Sequence, residues 1–335
     1  MFTIDFSCLP DENLLIGSLV SKAAEMYSSH GDCGDRCNHP SGYCNESYCK
    51  KSNCKNCGMK SVFGEQANCL GCCLECSEEV HFHCSNRQES YRKEYDCQKL
   101  AYYYACRYSW KYCSEIMYAL ESIDLSVYDR FKVLSLGCGA APDLMAFEQI
   151  NRKNNLPMHY SGIDANPYWS ALHSEIVEYC SNSDISVYFE TNDVFDVLDR
   201  GLCPQEPYNV VCMQYLISSF PNEHKSQMVN ELCDLLINRV ISKKRFDEAF
   251  LVVLNDIDHH SQARDHFDIL FEKIKQAGYH GRIFKAHFKT RGSDYHDGSV
   301  QHSIASNKFA IPTDIIHRFN CALQCSSAQM ILEVR

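Results

Sequence analysis

Cysteine is the residue type whose number and spacing most clearly indicate chemistry. The chain has 335 residues and 22 cysteines, of which eleven lie between Cys33 and Cys84. Pairs separated by two residues, such as Cys54 and Cys57, let both thiolates reach one tetrahedral zinc ion from a tight turn. The spacing therefore predicts metal binding rather than a disulfide framework. The candidate zinc ligands are Cys33, Cys37, Cys44, Cys49, Cys54, Cys57, Cys69, Cys72, Cys73, Cys76, His81, His83 and Cys84.

These ligands are enough for about two to three zinc ions with four ligands each. Residues 30–86 contain few large aliphatic side chains, so metal would have to supply much of the stability of this segment. An iron–sulfur cluster is the alternative centre. The spacing of Cys69, Cys73 and Cys76 matches the triad of radical adenosylmethionine enzymes, but Cys72 interrupts it. The segment either stabilises the chain only or also positions a macromolecular substrate.

A second candidate site begins with two glycines at the end of an apolar run. VLSL precedes Gly137-Cys138-Gly139, and a helical pattern begins near Asp143. Glycine lets the backbone turn tightly at the carboxyl end of a strand and approach a ligand closely. Pro142 stands where a G-x-G-x-x-G motif would have its third glycine, which disfavours a dinucleotide site. The pattern predicts a ligand-binding loop of another kind.

The segment VLSLGCGAAPDL resembles motif I of the class I S-adenosylmethionine-dependent methyltransferases, whose loops read like LGCGxGxDL. This resemblance implies that the loop lies against the methionine part of the cofactor. Asp164 ends the next predicted strand, where an acid can accept hydrogen bonds from two ribose hydroxyls. Asp193 follows the third strand, where the resemblance implies contact with the adenine amino group. The candidate cofactor-binding residues are Gly137, Cys138, Gly139, Asp143, Asp164, Ala165, Asp193, Val194 and Gln214.

Each of these residues also has a purely structural alternative. Gly137 and Gly139 could mark an ordinary turn from a strand into a helix. Asp164 and Asp193 could cap the helices that follow them. Because the three features occur in order at the ends of three consecutive predicted strands, their combination favours S-adenosylmethionine binding over coincidence.

The chemistry at the methyl group depends on the next two predicted strands. S-adenosylmethionine carries an activated methyl group, so a transferase mainly has to align the acceptor. The fourth strand ends in Gln214-Tyr215, and the resemblance implies that this edge borders the methyl group. His259 follows the fifth strand and could act as a general base, because imidazole titrates near neutrality. The alternative for His259 is a solvated loop. The candidate catalytic residues are Gln214, Tyr215 and His259.

The elements that must position these residues alternate along the chain. From residue 131 onward, apolar runs such as FKVLSL and AFLVVLND alternate with amphipathic segments, and GRIFKAHFK and SSAQMILEVR are predicted as closing strands. The final strand fits the closing hairpin that the resemblance implies. This predicts an α/β, Rossmann-like sheet with helices on both faces, accompanied by a small Cys-rich metal-binding module. The predicted organisation is a lead-in helix at 1–29, a zinc-binding module at 30–86, a helical linker at 87–128 and an S-adenosylmethionine-binding domain at 129–335.

Composition limits the remaining options. The net charge of −11 gives no global basic field for nucleic acid. The first residues lack the basic start of a signal peptide, and no apolar run approaches the roughly 18 residues of a membrane span, so we expect a cytoplasmic protein without membrane contact. The predicted function is methyl transfer to a macromolecule, RNA or protein. The alternatives are a small-molecule methyl- or aminopropyl-type transferase and a non-catalytic zinc-binding interaction protein. The sequence indicates neither the identity of the acceptor nor the oligomeric state.

Overall fold

The computed structural model of the chain describes residues 14–29, 98–201, 207–245, 248–259, 263–288 and 299–335. The predicted zinc-binding module and all thirteen of its candidate ligands lie outside these residues, so zinc and the alternative iron–sulfur cluster stay predictions. Within the described ranges, no group of three or more His, Cys, Asp or Glu side chains is arranged to hold a metal ion.

Helices form where apolar residues recur at helical spacing, and strands form where apolar residues are continuous. The described helices are α1 (Leu15–Ser29), α2 (Gln98–Leu120), α3 (Pro142–Asn154), α4 (Ser170–Cys180), α5 (Val194–Arg200), α6 (Lys225–Arg239), α7 (Phe267–Gln276) and α8 (Thr313–Phe319). The described strands are β1 (Phe131–Leu136), β2 (Met158–Asp164), β3 (Ile185–Thr191), β4 (Val210–Gln214), β5 (Phe250–Ile257), β6 (Gly281–His287), β7 (Val300–Gln301) and β8 (Ser327–Val334).

The described strands form one sheet in the order β3-β2-β1-β4-β5-β8-β6-β7. The first five are parallel, and β8 runs antiparallel to both β5 and β6. This arrangement confirms the predicted α/β class and the two predicted closing strands, which pair antiparallel as β6 and β8. The strand order reverses between β1 and β4, and ligands of open α/β sheets bind beyond the carboxyl ends of the strands at such a point.

The two faces of the sheet bury different sets of side chains. Along β1, Phe131 and Val133 belong to one hydrophobic cluster, while Leu134 and Leu136 belong to the other. Successive side chains of a strand point to opposite faces, so a strand covered on both faces is apolar throughout. Helices α1, α2, α3 and α4 contribute to the first cluster, and α5, α6 and α7 contribute to the second. The prediction of helices on both faces is confirmed.

Helix α2 packs as a core element in the part of the chain that is described. Most of its buried apolar residues share one hydrophobic cluster with α1, α3 and one face of β1, in a segment where the sequence pattern predicted a helical linker. Tyr103 packs with Tyr27 of α1 and Phe319 of α8, at ring-centroid distances of 6.4 and 6.2 Å. Tyr103 of α2 therefore serves to pack this helix against α1 and α8. Of the helices described, none has the length and hydropathy to cross a membrane.

Candidate functional site

The glycine loop follows β1 at the point where the strand order reverses. Gly137 and Gly139 adopt left-handed φ angles of 68° and 52°. The amides of Gly137 and Cys138 both donate to the carbonyl oxygen of Ile163, at 2.8 and 3.0 Å. A Cβ atom at Gly137 would lie 3.0 Å from Cδ1 of Leu216. Because left-handed backbone is costly for residues with a side chain, this turn favours glycine at both positions.

Asp164, at the end of β2, holds this loop through its carboxylate. Its Oδ2 accepts a hydrogen bond from the amide of Gly139 at 2.8 Å, and its Oδ1 accepts one from the amide of Asn166 at 2.9 Å. Burial raises the pKa of Asp164, and the two amide hydrogen bonds oppose that rise. An ionised carboxylate has about four acceptor sites, so two remain for further donors. Asp164 thus shapes the local turn and keeps capacity to bind a ligand.

Asp193 lies at the same edge of the sheet, after β3. Its Oδ1 accepts a hydrogen bond from the amide of Phe195 at 2.8 Å, which caps α5. The structural alternative of a helix cap is therefore present, and the exposed carboxylate keeps further acceptor sites. Val194 is buried, and the amide of Asn192 donates to the backbone carbonyl of Asp164 at 3.1 Å. The features predicted at three strand ends lie side by side at one edge.

Three other predicted cofactor residues differ in exposure. Asp143 is 1% exposed in the first turn of α3, and its Oδ1 accepts a hydrogen bond from the hydroxyl of Tyr160 at 2.9 Å. Burial raises the pKa of the Asp143 carboxyl and of the Cys138 thiol, so it disfavours their charged forms. Ala165 is exposed immediately after Asp164. Asp143 and Cys138 are therefore buried and both line a small cavity beside the glycine loop, whereas Ala165 is exposed to solvent.

Gln214 ends β4 and lines a small cavity beside the glycine loop. Its Nε2 donates to the carbonyl oxygen of Tyr112 at 2.9 Å. A carbonyl can only accept, so the amide NH₂ must face it and Oε1 must point elsewhere. Oε1 is buried and has no hydrogen-bond partner among the residues that the structure describes. The cavity has a volume of about 40 Å³ and is lined by Gly137, Gly139, Tyr104, Tyr112 and Gln214 among others.

Tyr215 adopts a left-handed φ of 55°, which is unusual for a residue with a side chain. Its amide donates to the carbonyl of Asn255 at 2.8 Å. Its hydroxyl accepts from Nζ of Lys111 and donates to Oε2 of Glu115, both at 3.0 Å. Burial, followed by the charge of Glu115, raises the pKa of Tyr215 well above its usual value. The hydroxyl stays protonated at neutral pH and does not act as a general base there.

Five hydrogen-bonded or ion-paired side chains form what we call the α2 polar cluster: Lys111, Glu115, Tyr215, Asn255 and Gln329. Glu115 is fully buried and accepts from Nδ2 of Asn255 at 3.0 Å, and Oδ1 of Asn255 accepts from Nε2 of Gln329 at 2.9 Å. Lys111 lies 3.7 Å from Glu115. The cluster fills the sheet edge at β4, β5 and β8. The sequence analysis named Tyr215 as a candidate catalytic residue but did not predict this cluster. The signals for it were the i, i+4 charge pair and polar residues in apolar strands.

His259 is exposed on the loop after β5. It does not line the cavity beside Gln214. Its proposed role as a base stays a prediction. The structure thus brings Gly137, Asp164, Asp193 and Gln214 to one edge of the sheet, and places His259 outside the cavity next to the glycine loop.

No family model matches this chain, and no curated protein matches it. Among solved structures it resembles a protein described as a class I S-adenosylmethionine-dependent methyltransferase from Listeria monocytogenes, with 15% identity, a TM-score of 0.38, and coverage of 65% of this chain and 57% of that one. It also resembles magnesium protoporphyrin IX methyltransferase from Synechocystis PCC 6803, with 10% identity, a TM-score of 0.38, and coverage of 82% and 96%. A human methyltransferase 10 domain containing protein has 10% identity, a TM-score of 0.39, and coverage of 67% and 81%. At these scores the resemblance supports no assignment of activity or substrate.

Proposed function

We propose that the chain binds S-adenosylmethionine along the carboxyl ends of β1, β2 and β3 and transfers its methyl group. The observation that supports this proposal most strongly is the contact between the amide of Gly139 and the carboxylate of Asp164, at the point where the strand order reverses. A left-handed glycine turn beside an acid on the next strand offers a close backbone approach and free acceptor sites together.

The residues present fit such a cofactor on two further observations. Gly137 leaves the loop without a Cβ atom at its tightest point, beside Leu216. Oε1 of Gln214 is a buried acceptor without a partner in the described part of the chain, so it is suited to a donor group of a ligand. In this proposal the carboxylate of Asp164 accepts hydrogen bonds from the ribose hydroxyls, while Asp193 and Val194 contact the adenine. Gln214 and the glycine loop adjoin the methionine end.

The cavity beside Gln214 is too small for a methionine group in its present shape. The space between Gln214 and the glycine loop is about 40 Å³, which is room for a few water molecules at most. In this proposal a methionine group enters this space by displacing side chains that line it, among them Tyr104 and Tyr112 of α2. These two hydroxyls are 3.0 Å apart, so their movement couples α2 to ligand binding.

When bound, S-adenosylmethionine supplies a methyl group already activated on a sulfonium. The chain's own residues would then align the acceptor and exclude water, and Oε1 of Gln214 would accept a hydrogen bond from a donor group of the ligand. Tyr215 stays protonated and holds the end of β4 in place through Lys111 and Glu115. This division of roles favours alignment over general-base catalysis among the described residues near the cavity.

Calorimetry with S-adenosylmethionine tests the binding step. We expect saturable heat with the full-length chain and competition by S-adenosylhomocysteine. No detectable binding of either compound would contradict the proposal and would favour the non-catalytic alternative.

Labelled cell extract tests the reaction. Label carried by the methyl group should appear in an acceptor, and fractionation into RNA, protein and small molecules decides between the macromolecular acceptor that the sequence favours and a small one. Transfer of label from the aminopropyl part of the molecule, without transfer from the methyl group, would instead support the aminopropyl-type alternative.

A further inference from the structure

His173 of α4 lies directly against the glycine loop, although no part of the sequence pattern marked it. Its Nε2 lies 2.7 Å from the carbonyl oxygen of Gly139. The side chain is buried, and its ring stacks on Phe189 of β3 with a centroid distance of 3.9 Å and an interplanar angle of 4°. Sγ of Cys138 lies 3.9 Å from the same nitrogen. The imidazole is therefore fixed from several sides.

The protonation of His173 follows from its surroundings. Burial lowers its pKa to about 4, so the ring is neutral at physiological pH. The carbonyl of Gly139 can only accept a hydrogen bond, so Nε2 must carry the proton and Nδ1 must be bare. The neutral tautomer is thus set by the loop itself.

Gly139 is held on both of its polar groups. Asp164 accepts from its amide at 2.8 Å, and His173 donates to its carbonyl at 2.7 Å. Between these two hydrogen bonds the residue keeps its left-handed φ of 52°. Phe189, on which the His173 ring stacks, packs in turn against Gly162. A Cβ atom at Gly162 would lie 2.8 Å from Phe189. The absence of a side chain at Gly162 allows Phe189 to lie where it stacks on His173.

We infer that His173 is a positioning residue, whose Nε2–H holds the carbonyl of Gly139 and keeps the glycine loop in the shape that cofactor binding requires. This inference rests on the proposed function for its role in binding. The hydrogen bond between His173 and Gly139 is local to the loop, so its effect on the loop can also be measured without any cofactor.

Two substitutions separate the hydrogen bond from the stacking. His173→Gln keeps an N–H donor near the position of Nε2 but removes the ring, while His173→Phe keeps the ring on Phe189 and removes the donor. We expect His173→Phe to weaken S-adenosylhomocysteine binding about tenfold, and His173→Gln to stay within about threefold of the wild type. His159→Phe, at a half-buried histidine of β2, is the control and should leave the affinity unchanged. Equal losses in both His173 variants, or a larger loss in His173→Gln, would overturn the inference.

Hydrogen exchange at the Gly139 amide gives a readout that needs no ligand. In the wild type this amide should exchange slowly, because Asp164 accepts its hydrogen bond. Exchange should be faster in His173→Phe and return towards the wild-type rate in His173→Gln. If the wild type fails to bind S-adenosylhomocysteine while this exchange pattern holds, the proposed function fails and the positioning role stands. Exchange that is equal in all three proteins would overturn the positioning role even if the cofactor binds.

Discussion

Two regions at the carboxyl edge of the same sheet are built in opposite ways. Beyond β1, β2 and β3, the edge consists of a glycine loop and two carboxylates with unused acceptor sites, Asp164 and Asp193. Beyond β4 and β5 the edge is filled by α2, whose Lys111 and Glu115 bond to side chains of the strands. The first region relies on backbone conformation, and the second relies on buried side-chain hydrogen bonds.

This difference indicates that one part of the edge can bind a ligand while the neighbouring part is filled by the protein's own side chains. The acids of the first region are bonded to backbone amides, which leaves lone pairs available to a ligand. In the second region, Glu115 accepts from Tyr215, Asn255 and the amide of Ser326, so its carboxylate is occupied by the protein itself. We therefore expect changes in the second region to affect stability most, and changes in the first to affect ligand binding most.

The largest effect should come from Glu115→Ala. This change removes the counter-charge of the buried ammonium of Lys111 and the acceptor for the donors of Tyr215 and Asn255. It should therefore lower the free energy of unfolding by about 3–5 kcal/mol. Urea unfolding followed by circular dichroism measures it. Glu25→Ala is the control, because Glu25 and Lys22 are exposed and 3.9 Å apart, and it should change stability by less than about 0.5 kcal/mol. Similar small losses in both variants would mean that the α2 polar cluster does not hold α2 on the sheet.

Asp164→Asn should affect the first region. An asparagine keeps one acceptor oxygen, and its NH₂ group would face the amide of either Gly139 or Asn166. We expect the affinity for S-adenosylhomocysteine to fall by about 1–3 kcal/mol, measured by calorimetry. Asp184→Asn, at an exposed site just before β3, should bind like the wild type. Unchanged affinity in Asp164→Asn would place the ligand elsewhere.

Asp193→Ala sharpens the comparison within the first region. Loss of the cap on α5 should lower the free energy of unfolding by about 1 kcal/mol, while Asp193→Ser should keep the cap and lose only a few tenths. If Asp193 also contacts the ligand, S-adenosylhomocysteine affinity should fall in both variants. A loss of stability in Asp193→Ala with wild-type affinity in both would leave Asp193 as a helix cap alone.

The smallest expected effect concerns Asp143, in the first turn of α3. Burial raises its pKa above the ordinary value of 3.8, so the folded state holds this proton more tightly than the unfolded state. Its contribution to stability is fully present below pH 3.8 and is lost as the pH rises through the pKa of the folded state. Asp143→Asn should therefore raise the free energy of unfolding at pH 7 by up to about 1 kcal/mol.

Denaturant midpoints measured between pH 3 and pH 7 test this sign. The advantage of Asp143→Asn should shrink as the pH falls. An advantage that stays constant over this range, or that grows towards acid, would show that the wild-type carboxyl is not a destabilising buried charge at neutral pH.

Local patterns predicted much of the sheet because their signal lies within a few residues. FKVLSL was predicted as a strand and is β1, since a buried parallel strand is a continuous apolar run. β7 and α8 were not predicted. A strand of two residues, Val300–Gln301, is too short to show any period, and α8 spans only seven residues.

The candidate site was predictable where a backbone requirement shows in the sequence. Gly137 and Gly139 sit in left-handed conformations that favour glycine, and the acids at the ends of β2 and β3 follow recognisable strands. The α2 polar cluster was not predictable, because Glu115 and Asn255 are 140 residues apart and meet only through the fold. His173 was missed because a single histidine on an amphipathic helix carries no local signal. The zinc module lies outside the described residues and stays a prediction.

A crystal structure of the full chain with S-adenosylhomocysteine tests the central claim most directly. We expect the ribose within hydrogen-bonding distance of Asp164, the methionine end beside Gly137 and Gln214, and Tyr112 displaced from its present position. A ligand bound at another edge of the sheet, or no ligand in crystals grown at saturating concentration, would contradict the account.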